Sequence, residues 1–489
     1  MTGQEFTDRH VTVAGLGVSG ASAARALAAA GARVTVVDGG TGPRPREAAD
    51  RLTGPVAEGG ACPAVEVRLG DGATLPEGTD LVVTSPGWKP GSPLFAAAEA
   101  AGVEVIGDVE LAWRLRRPAA DGTPPADWLV VTGTNGKTTT VQMLASILGA
   151  AGLRTAAVGN IGTPIIDVVL SGEPYDVLAV ELSSYQLHWA PSPRAHSAAV
   201  LNLAPDHLDW HGTMAAYAAD KGRAYTGNRV ACVYNAADPA TEELVRAADV
   251  TEGARAIGFT LGTPGPSQLG VVEGLLVDRA FVPDRQRAAA ELASTEDVRP
   301  AAPHNIANAL AAAALARAYG VEPVAVRDGL RAFRPDAHRI AHVADVDEVA
   351  YVDDSKATNT HAAEASLAAY RPIVWIAGGL AKGASFDDLA RLAKDRLRAA
   401  VLIGAERHLI AEALARHAPD VPVSDLDRTD TGAMQAAVRE AARLARPGDT
   451  VLLAPACASM DMFTNYNERG DAFAAAVHDL AAGRSTDGS

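Results

Sequence analysis

Short apolar runs alternate with Ala-rich stretches of helical period along most of the chain. Residues 11–14 and 33–38 read as strands on either side of an Ala-rich helix at 19–30. Strand, helix and strand at this spacing form a βαβ unit and imply a parallel sheet. Residues 81–84 repeat the strand signal. A loop punctuated by Pro86, Gly87, Pro90, Gly91 and Pro93 follows, and the first block ends near Gly107. Beyond a Pro-, Gly- and Ala-rich loop at 117–127, strands are predicted at 128–132, 177–180 and 198–201, and a helix at 305–319. The polar, Ala/Pro-rich stretch 282–303 reads as an insertion or long loop, without an assigned function. A last block, starting near Asp336, carries strands at 349–353, 373–377, 400–403 and 450–453, the rhythm of a doubly wound sheet. The tail 483–489 is predicted to be disordered. The pattern describes an α/β chain of three domains, 1–107, 108–335 and 336–489.

Composition narrows the function classes. Of 489 residues, 48% are hydrophobic and 21% charged, which suits several packed cores rather than a disordered chain. With 43 Lys and Arg against 59 Asp and Glu, the formal charge is −16, which argues against a broad nucleic-acid surface. A local nest of backbone N–H groups can still hold a small anion. Cys62, Cys232 and Cys457 are few and far apart, so neither a disulfide framework nor a thiolate zinc site is readable. The first ten residues lack a signal-peptide core, and no apolar run is long enough to span a bilayer. The expectation is a protein of the reducing cytoplasm that inserts into no membrane.

Two glycine loops carry the chemistry. Gly15-Leu16-Gly17-Val18-Ser19-Gly20 follows a strand and opens a helix, and Asp38 ends the next strand. Such a turn lets backbone approach a pyrophosphate at a helix N-terminus. It suits NAD or a nucleoside diphosphate such as UDP equally, and a third of its weight goes to close helix–strand packing alone. The second loop, Gly133-Thr134-Asn135-Gly136-Lys137-Thr138-Thr139, misses the first Gly of the strict P-loop pattern, where Val131 stands. Its parts still fit ATP: glycines to curl N–H groups around phosphates, Lys137 for the β/γ oxygens, Thr138 for Mg²⁺. Glu181, where an apolar strand ends, is placed to meet a metal beside ATP. Asp206-His207-Leu208-Asp209-Trp210-His211 packs ligand-type side chains into one short loop. Lys221 alone would pass for a solvated helical lysine. Asn305 and Asn308 lie three residues apart on one helical face, readable as an N-terminal capping pair.

The string TGTNGKTT resembles the nucleotide loop of the Mur ligases and of their relative folylpolyglutamate synthase. ELSSYQL, DHLDWHG, DDSKATN and ASMDMF followed by NYNERG resemble further motifs of the Mur ligases in the same order, over nearly the whole chain. The resemblance implies a Rossmann-like UDP-binding domain, a central P-loop-type ATPase domain and a C-terminal Rossmann-like domain that holds an amino acid. It also settles the first loop on UDP, with Gly17, Ser19, Asp38, Ser85 and Asn160 near the UDP-sugar. Gly133, Thr134, Asn135, Gly136, Lys137, Thr138, Thr139, Asn305, Asn308, Arg339, Asp354 and Lys356 would meet ATP. Thr138, Glu181, His207 and Lys221 would hold Mg²⁺, two ions in all, Lys221 as a carbamate, with Lys137, His207 and Lys221 catalytic.

Within the family, Thr358, Lys382, Ser459 and Tyr466 match the residues that hold D-glutamate. The implied activity is ATP-dependent ligation of D-glutamate to UDP-N-acetylmuramoyl-L-alanine, through an acyl phosphate, in peptidoglycan precursor synthesis by a monomer. Tyr466 stands where Phe is frequent, and Gly222 where a bulkier residue is usual. A dehydrogenase using the first loop would leave the second loop, DHLDWH and DDSKATN unexplained. An inactive, UDP-sugar-binding relative is disfavoured by the intact Lys137, Glu181, His207 and Lys221.

Overall fold

A computed structural model describes residues 5–53, 65–119, 121–335, 337–430 and 432–487. Cys62 and Asp336 lie outside them. Three sheets organise the chain. In the first, β1 (His10–Ala14), β2 (Arg33–Asp38), β3 (Val65–Leu69), β4 (Leu81–Thr84) and β5 (Glu104–Gly107) run parallel in the order β3-β2-β1-β4-β5. The order reverses beside β1, so the first glycine loop leaves the sheet at its switch point, where ligands of such sheets bind.

The second sheet has nine strands: β6 (Asp127–Thr132), β7 (Thr155–Gly159), β8 (Val177–Glu181), β9 (Ser197–Val200), β10 (Ala231–Asn235), β11 (Arg255–Phe259), β12 (Gln268–Val272), β13 (Leu275–Asp278) and β14 (Ala290–Ser294). Their order is β14-β13-β12-β11-β10-β9-β6-β8-β7, parallel except for the two pairs made by β13. The stretch 282–303, expected to be an insertion or loop, therefore contributes an edge strand. Its AELAS sequence buries Leu292 and Ala293 once paired with β13, a partner that no local pattern reveals. The helix Pro303–Ala318 is buried at every residue from Ala309 to Ala316, apolar all round as a core helix must be.

The third sheet holds β15 (Ala341–Val346), β16 (Val349–Asp353), β17 (Ile373–Ala377), β18 (Leu397–Leu402), β19 (Val423–Asp425) and β20 (Thr450–Leu453), in the order β15-β16-β20-β17-β18-β19. Only the β15–β16 pair is antiparallel. The last helix, Tyr466–Asp487, runs past Gly483, where a disordered tail is predicted from composition; it joins a core with Phe473 and Val477, which carries it beyond the polar end. No helix among the described residues is long and apolar enough to cross a membrane.

The described residues through Phe333, apart from 302–304, group as one compact unit, and 302–304 with the rest from Arg334 as another. Within the first unit, the first two sheets share one core and are pinned by polar contacts. The Ser22 hydroxyl donates to Asp167 at 2.5 Å, and Gly107 N–H to the Trp189 carbonyl at 2.8 Å.

The helices Lys137–Ala150 and Pro323–Ala332 cross closely at Gly329. A Cβ there would come within 2.4 Å of the Ile147 Cα, and Ser146 Oγ donates to the Gly329 carbonyl at 2.7 Å. Gly329→Ala is expected to destabilise the chain by about 1–3 kcal/mol, the usual cost of overpacking, read by thermal or denaturant melting. An unchanged midpoint would refute this crossing.

Candidate active site

The second glycine loop springs from the C-terminal end of β6. Gly136 precedes the helix Lys137–Ala150 with φ 85°, and a Cβ there would fall 2.4 Å from the Asn308 Oδ1, so only glycine fits. Asn308 is thus packed against the loop as expected. Asn305 is not an N-cap, because the helix already begins at Pro303; its Nδ2 donates to the Pro300 carbonyl at 3.3 Å.

Asn202, just beyond β9, braces the loop from below. Its Oδ1 accepts from Asn135 N–H at 2.9 Å and its Nδ2 donates to the Asn135 carbonyl at 3.1 Å, while its own carbonyl accepts from Thr134 N–H at 3.0 Å. The Thr134 hydroxyl lies 3.1 Å from the Tyr217 hydroxyl and accepts from Ala204 N–H at 3.0 Å. Thr138 and Thr139 open the helix behind the loop.

Two lysines converge on one oxygen of this loop. Lys137 Nζ donates to the carbonyls of Gly133 (2.9 Å) and Thr134 (2.8 Å), and Lys221 Nζ donates to the same Gly133 carbonyl at 2.8 Å. Lys221 is only 2% exposed and lies over the Tyr217 ring, 4.6 Å from its centroid. The reading of a solvated helical lysine is therefore wrong for this residue. Burial, with the neighbouring Lys137 charge second, holds its amine well below the usual lysine range.

Glu181, the last residue of β8, is 2% exposed. One oxygen accepts from Asn160 Nδ2 at 2.9 Å, while Oε2 is buried with no hydrogen-bond partner among the described residues. A buried carboxylate oxygen without a partner is costly unless a cation meets it. His207 takes the left-handed conformation (φ 54°) at the head of the helix Leu208–His211, beside Tyr185, with ring centroids 4.9 Å apart. Burial, then the Lys137 and Lys221 charges against that of Asp206, keeps its imidazole below the ordinary histidine value. Among the described residues no three His, Cys, Asp or Glu side chains cluster as a metal site. A divalent ion here would therefore lean on few protein ligands and on phosphate oxygens, as Mg²⁺ does.

At the first glycine loop, Asp38 accepts from Leu16 N–H at 2.7 Å and from Gly40 N–H at 2.8 Å, so it shapes the loop itself. Gly17 caps the helix Val18–Ala29 without a side-chain bond, and the Ser85 hydroxyl reaches towards the Gly15 carbonyl at 3.5 Å. Ser19 hydrogen-bonds the buried Asp108, whose carboxyl burial pushes up and which also accepts from Gln186 Nε2 at 3.3 Å. Asp209 pairs with Lys89 at 3.4 Å, and Trp210 Nε1 donates to the Trp88 carbonyl at 3.1 Å, so the DHLDWH loop is tied to the first sheet's loops.

In the second unit, Asp354 follows β16 and is buried; its oxygens accept from Ile340 N–H at 3.3 Å and from the Ser366 hydroxyl. Burial pushes its carboxyl up to about 6, against the pull of Ser366 and Arg339. Lys356 Nζ sits 3.9 Å from the centroid of the Tyr466 ring, and Thr358 N–H donates to the Lys356 carbonyl at 2.8 Å. Lys356, expected at the phosphates, thus lies beside Tyr466, one of the acceptor candidates. Ser459 is buried one residue after Ala458, which bridges Leu380; the exposed Lys382 (φ 51°) follows two residues on from Leu380.

Arg469, which carried no assigned role, is fully buried and joins both strings. It donates to Ser355 Oγ (3.0 Å), to the Ser355 carbonyl (2.8 Å) and to the Cys457 carbonyl (3.0 Å). Burial lowers its guanidinium to about 10. Cys457 and Cys232 are buried free thiols, raised by burial to about 12 and about 11, and neither suits a nucleophile.

Comparison with known proteins decides the family. Residues 9–107 match the Mur ligase MurD-like N-terminal domain, 131–316 the Mur ligase middle domain, and 338–457 the Mur ligase glutamate ligase domain. A UDP-N-acetylmuramoylalanine--D-glutamate ligase of Streptomyces coelicolor is 76% identical over 98% of this chain and 99% of its own. The chain belongs to the Mur ligase family.

A ligase of the same name from Thermobifida fusca is 60% identical, over 98% of this chain and 100% of its own. Among solved structures, a pseudomurein peptide ligase type C from Methanothermus fervidus shares the fold at TM-score 0.56 and 16% identity, covering 97% of this chain and 100% of its own. A MurF ligase from Thermotoga maritima in complex with ADP does so at 0.56 and 15%, covering 97% and 99%.

Two outcomes test this Mur ligase site. Asn202→Ala removes both bonds to the Asn135 backbone and is expected to weaken nucleotide binding about tenfold, measured by calorimetry; unchanged affinity would separate Asn202 from the loop. The Asp354 carboxyl holds a proton in the folded chain that the unfolded chain, with a pKa of about 3.9, releases. Stability should therefore fall as pH rises from about 4 to about 6. Asp354→Asn should flatten that slope in thermal melts, and an unaltered slope would contradict its burial.

Proposed function

We propose that this chain is the ATP-dependent ligase that joins D-glutamate to UDP-N-acetylmuramoyl-L-alanine during peptidoglycan precursor synthesis. The observation that carries the reading is the convergence of Lys137, Lys221 and the half-satisfied carboxylate of Glu181 around the second glycine loop. The choice of substrates rests on the names of relatives up to 76% identical over nearly the full length. In this reading 1–107 is a Rossmann-like domain for the UDP-sugar, 108–335 a P-loop-type ATPase domain and 336–489 a Rossmann-like domain for the amino acid, in a cytoplasmic protein.

Gly133, Thr134, Asn135, Gly136, Thr138 and Thr139 cradle the ATP phosphates, flanked by Asn305 and Asn308, with Arg339, Asp354 and Lys356 as further nucleotide contacts. Gly17, Ser19, Asp38, Ser85 and Asn160 serve the UDP-sugar, and Thr358, Lys382, Ser459 and Tyr466 the D-glutamate. The alanyl carboxylate attacks the γ-phosphorus, ADP leaves, and an acyl phosphate forms. Lys137, released from the Gly133 and Thr134 carbonyls, follows the charge on the transferring phosphoryl group. The amine of D-glutamate then attacks the acyl carbon and phosphate departs.

Thr138, Glu181, His207 and Lys221 would hold Mg²⁺, and the unpartnered Glu181 oxygen fits that role. Bound there, the ion would offset phosphoryl charge. Burial lowers the pKa of the Lys221 amine and so favours the free-base form that attacks CO₂; the addition forms an N–C bond, loses one proton and leaves a carbamate anion.

The test is ADP release by the purified protein with ATP, Mg²⁺ and UDP-N-acetylmuramoyl-L-alanine, comparing D-glutamate with L-glutamate, L-alanine and L-lysine. Release that needs both the UDP-sugar and D-glutamate is expected, and Lys137→Ala should cut it about a hundred- to thousandfold. Release with another amino acid would sink the acceptor assignment. The Lys221 carbamate should give a ¹³C NMR signal from ¹³C-bicarbonate that Lys221→Arg abolishes; no difference between the two proteins would exclude it.

A further inference from the structure

One buried carboxylate in the first unit takes no part in these steps. Asp220 lies in the helix Met214–Gly222, immediately before Lys221. It accepts from His188 Nδ1 at 2.9 Å and from His211 Nδ1 at 3.0 Å, and Arg223 Nε lies 3.2 Å away. The Asp220 oxygens accept from both rings, which places an N–H on Nδ1 of each imidazole. That leaves His211 Nε2 to accept the Ser184 hydroxyl at 2.9 Å. The fixed tautomer makes one continuous chain: Ser184, His211, Asp220, His188.

These groups end or lie on three short helices. His188 closes Ser184–His188 (5 residues), His211 closes Leu208–His211 (4 residues), and Asp220 belongs to Met214–Gly222 (9 residues). Helices this short do not hold themselves in water. Each also carries or adjoins a group of the proposed reaction. The first begins three residues after Glu181, the second is headed by His207, and the third bears Lys221. The Tyr185 ring stacks on His211, with centroids 5.6 Å apart and planes at 10°, and its centroid lies 4.9 Å from that of His207.

We propose that Asp220 is a positioning residue. Acting through His211 and His188, it holds the three helices in one register, so that His207 and Lys221 face the nucleotide loop together with Glu181. This rests on the reading of His207 and Lys221 given above.

The experiment measures Mn²⁺ affinity by electron paramagnetic resonance on the full chain with a non-hydrolysable ATP analogue, alongside kcat and each KM. Asp220→Asn and His211→Phe should weaken Mn²⁺ binding and lower kcat about ten- to a hundredfold, the range for groups that orient ligands, while KM for D-glutamate stays within about twofold. His211→Asn, whose amide N–H can replace the Nδ1 donor to Asp220, should recover most of the loss. In a His207→Ala background, Asp220→Asn should have little further effect on Mn²⁺ affinity, since the two changes act on one site. His188→Phe gives the same reading if Asp220→Asn fails to fold. Unchanged Mn²⁺ affinity and kcat in Asp220→Asn and His211→Phe, His211→Asn no better than His211→Phe, or full additivity with His207→Ala would each overturn the proposal. If His207→Ala alone leaves Mn²⁺ affinity unchanged, it is the reading of His207 that fails, and the proposal falls with it.

Discussion

Two lysine side chains donate to a single carbonyl, that of Gly133, and the rest of the first unit is arranged around making that tolerable. Two ammonium ions so close in a desolvated place repel strongly. Burial, with the Lys137 charge second, lowers the pKa of the more enclosed of them, Lys221, and the Tyr217 ring covers it. The same enclosure leaves Glu181 with an oxygen that no donor among the described residues reaches. The site thus holds a cationic loop, a buried amine of lowered pKa and a carboxylate oxygen without a hydrogen-bond partner among the described residues. A nucleotide carrying a divalent ion complements all three.

That arrangement depends on the parallel sheet. β6, β8 and β9 lie side by side, so the glycine loop, Glu181 and Asn202 emerge at one edge although 67 positions separate Asn135 from Asn202. The strands deliver side chains to within hydrogen-bonding reach, and short helices finish the work. Because such helices carry little stability of their own, polar links such as Asp220 to two histidines replace the core packing that would fix a longer helix.

The second unit solves a similar problem with one cation. Arg469 is buried and spends its donors on Ser355 and on the Cys457 carbonyl, joining the string DDSKATN to the residue that precedes ASMDMF. Truncating such a group would strand buried acceptors, which costs more than the bonds themselves contribute. The Mur ligases share this three-sheet architecture at identities near 16%, so the fold tolerates wide changes in sequence.

Local pattern determined the strands that open the first two sheets, the two glycine loops and the order of the motifs, because strand period and loop chemistry are written in neighbouring residues; it did not show β15, which opens the third. It also marked Lys137 for phosphates and Glu181 for a metal beside them, whereas Asn308 was drawn to the nucleotide only by the family resemblance. It did not reveal β14, whose few apolar residues acquire meaning only beside β13. Nor did it show that Lys221 is enclosed, since nothing in Ala-Asp-Lys-Gly distinguishes a buried lysine from a solvated one. Asn202, Asp220 and Arg469 went unassigned for the same reason: their partners lie 67, 9 to 32 and 12 to 114 positions away. Burial and long-range hydrogen bonds are properties of the folded chain, and they alone decided which ordinary polar residues became part of the site.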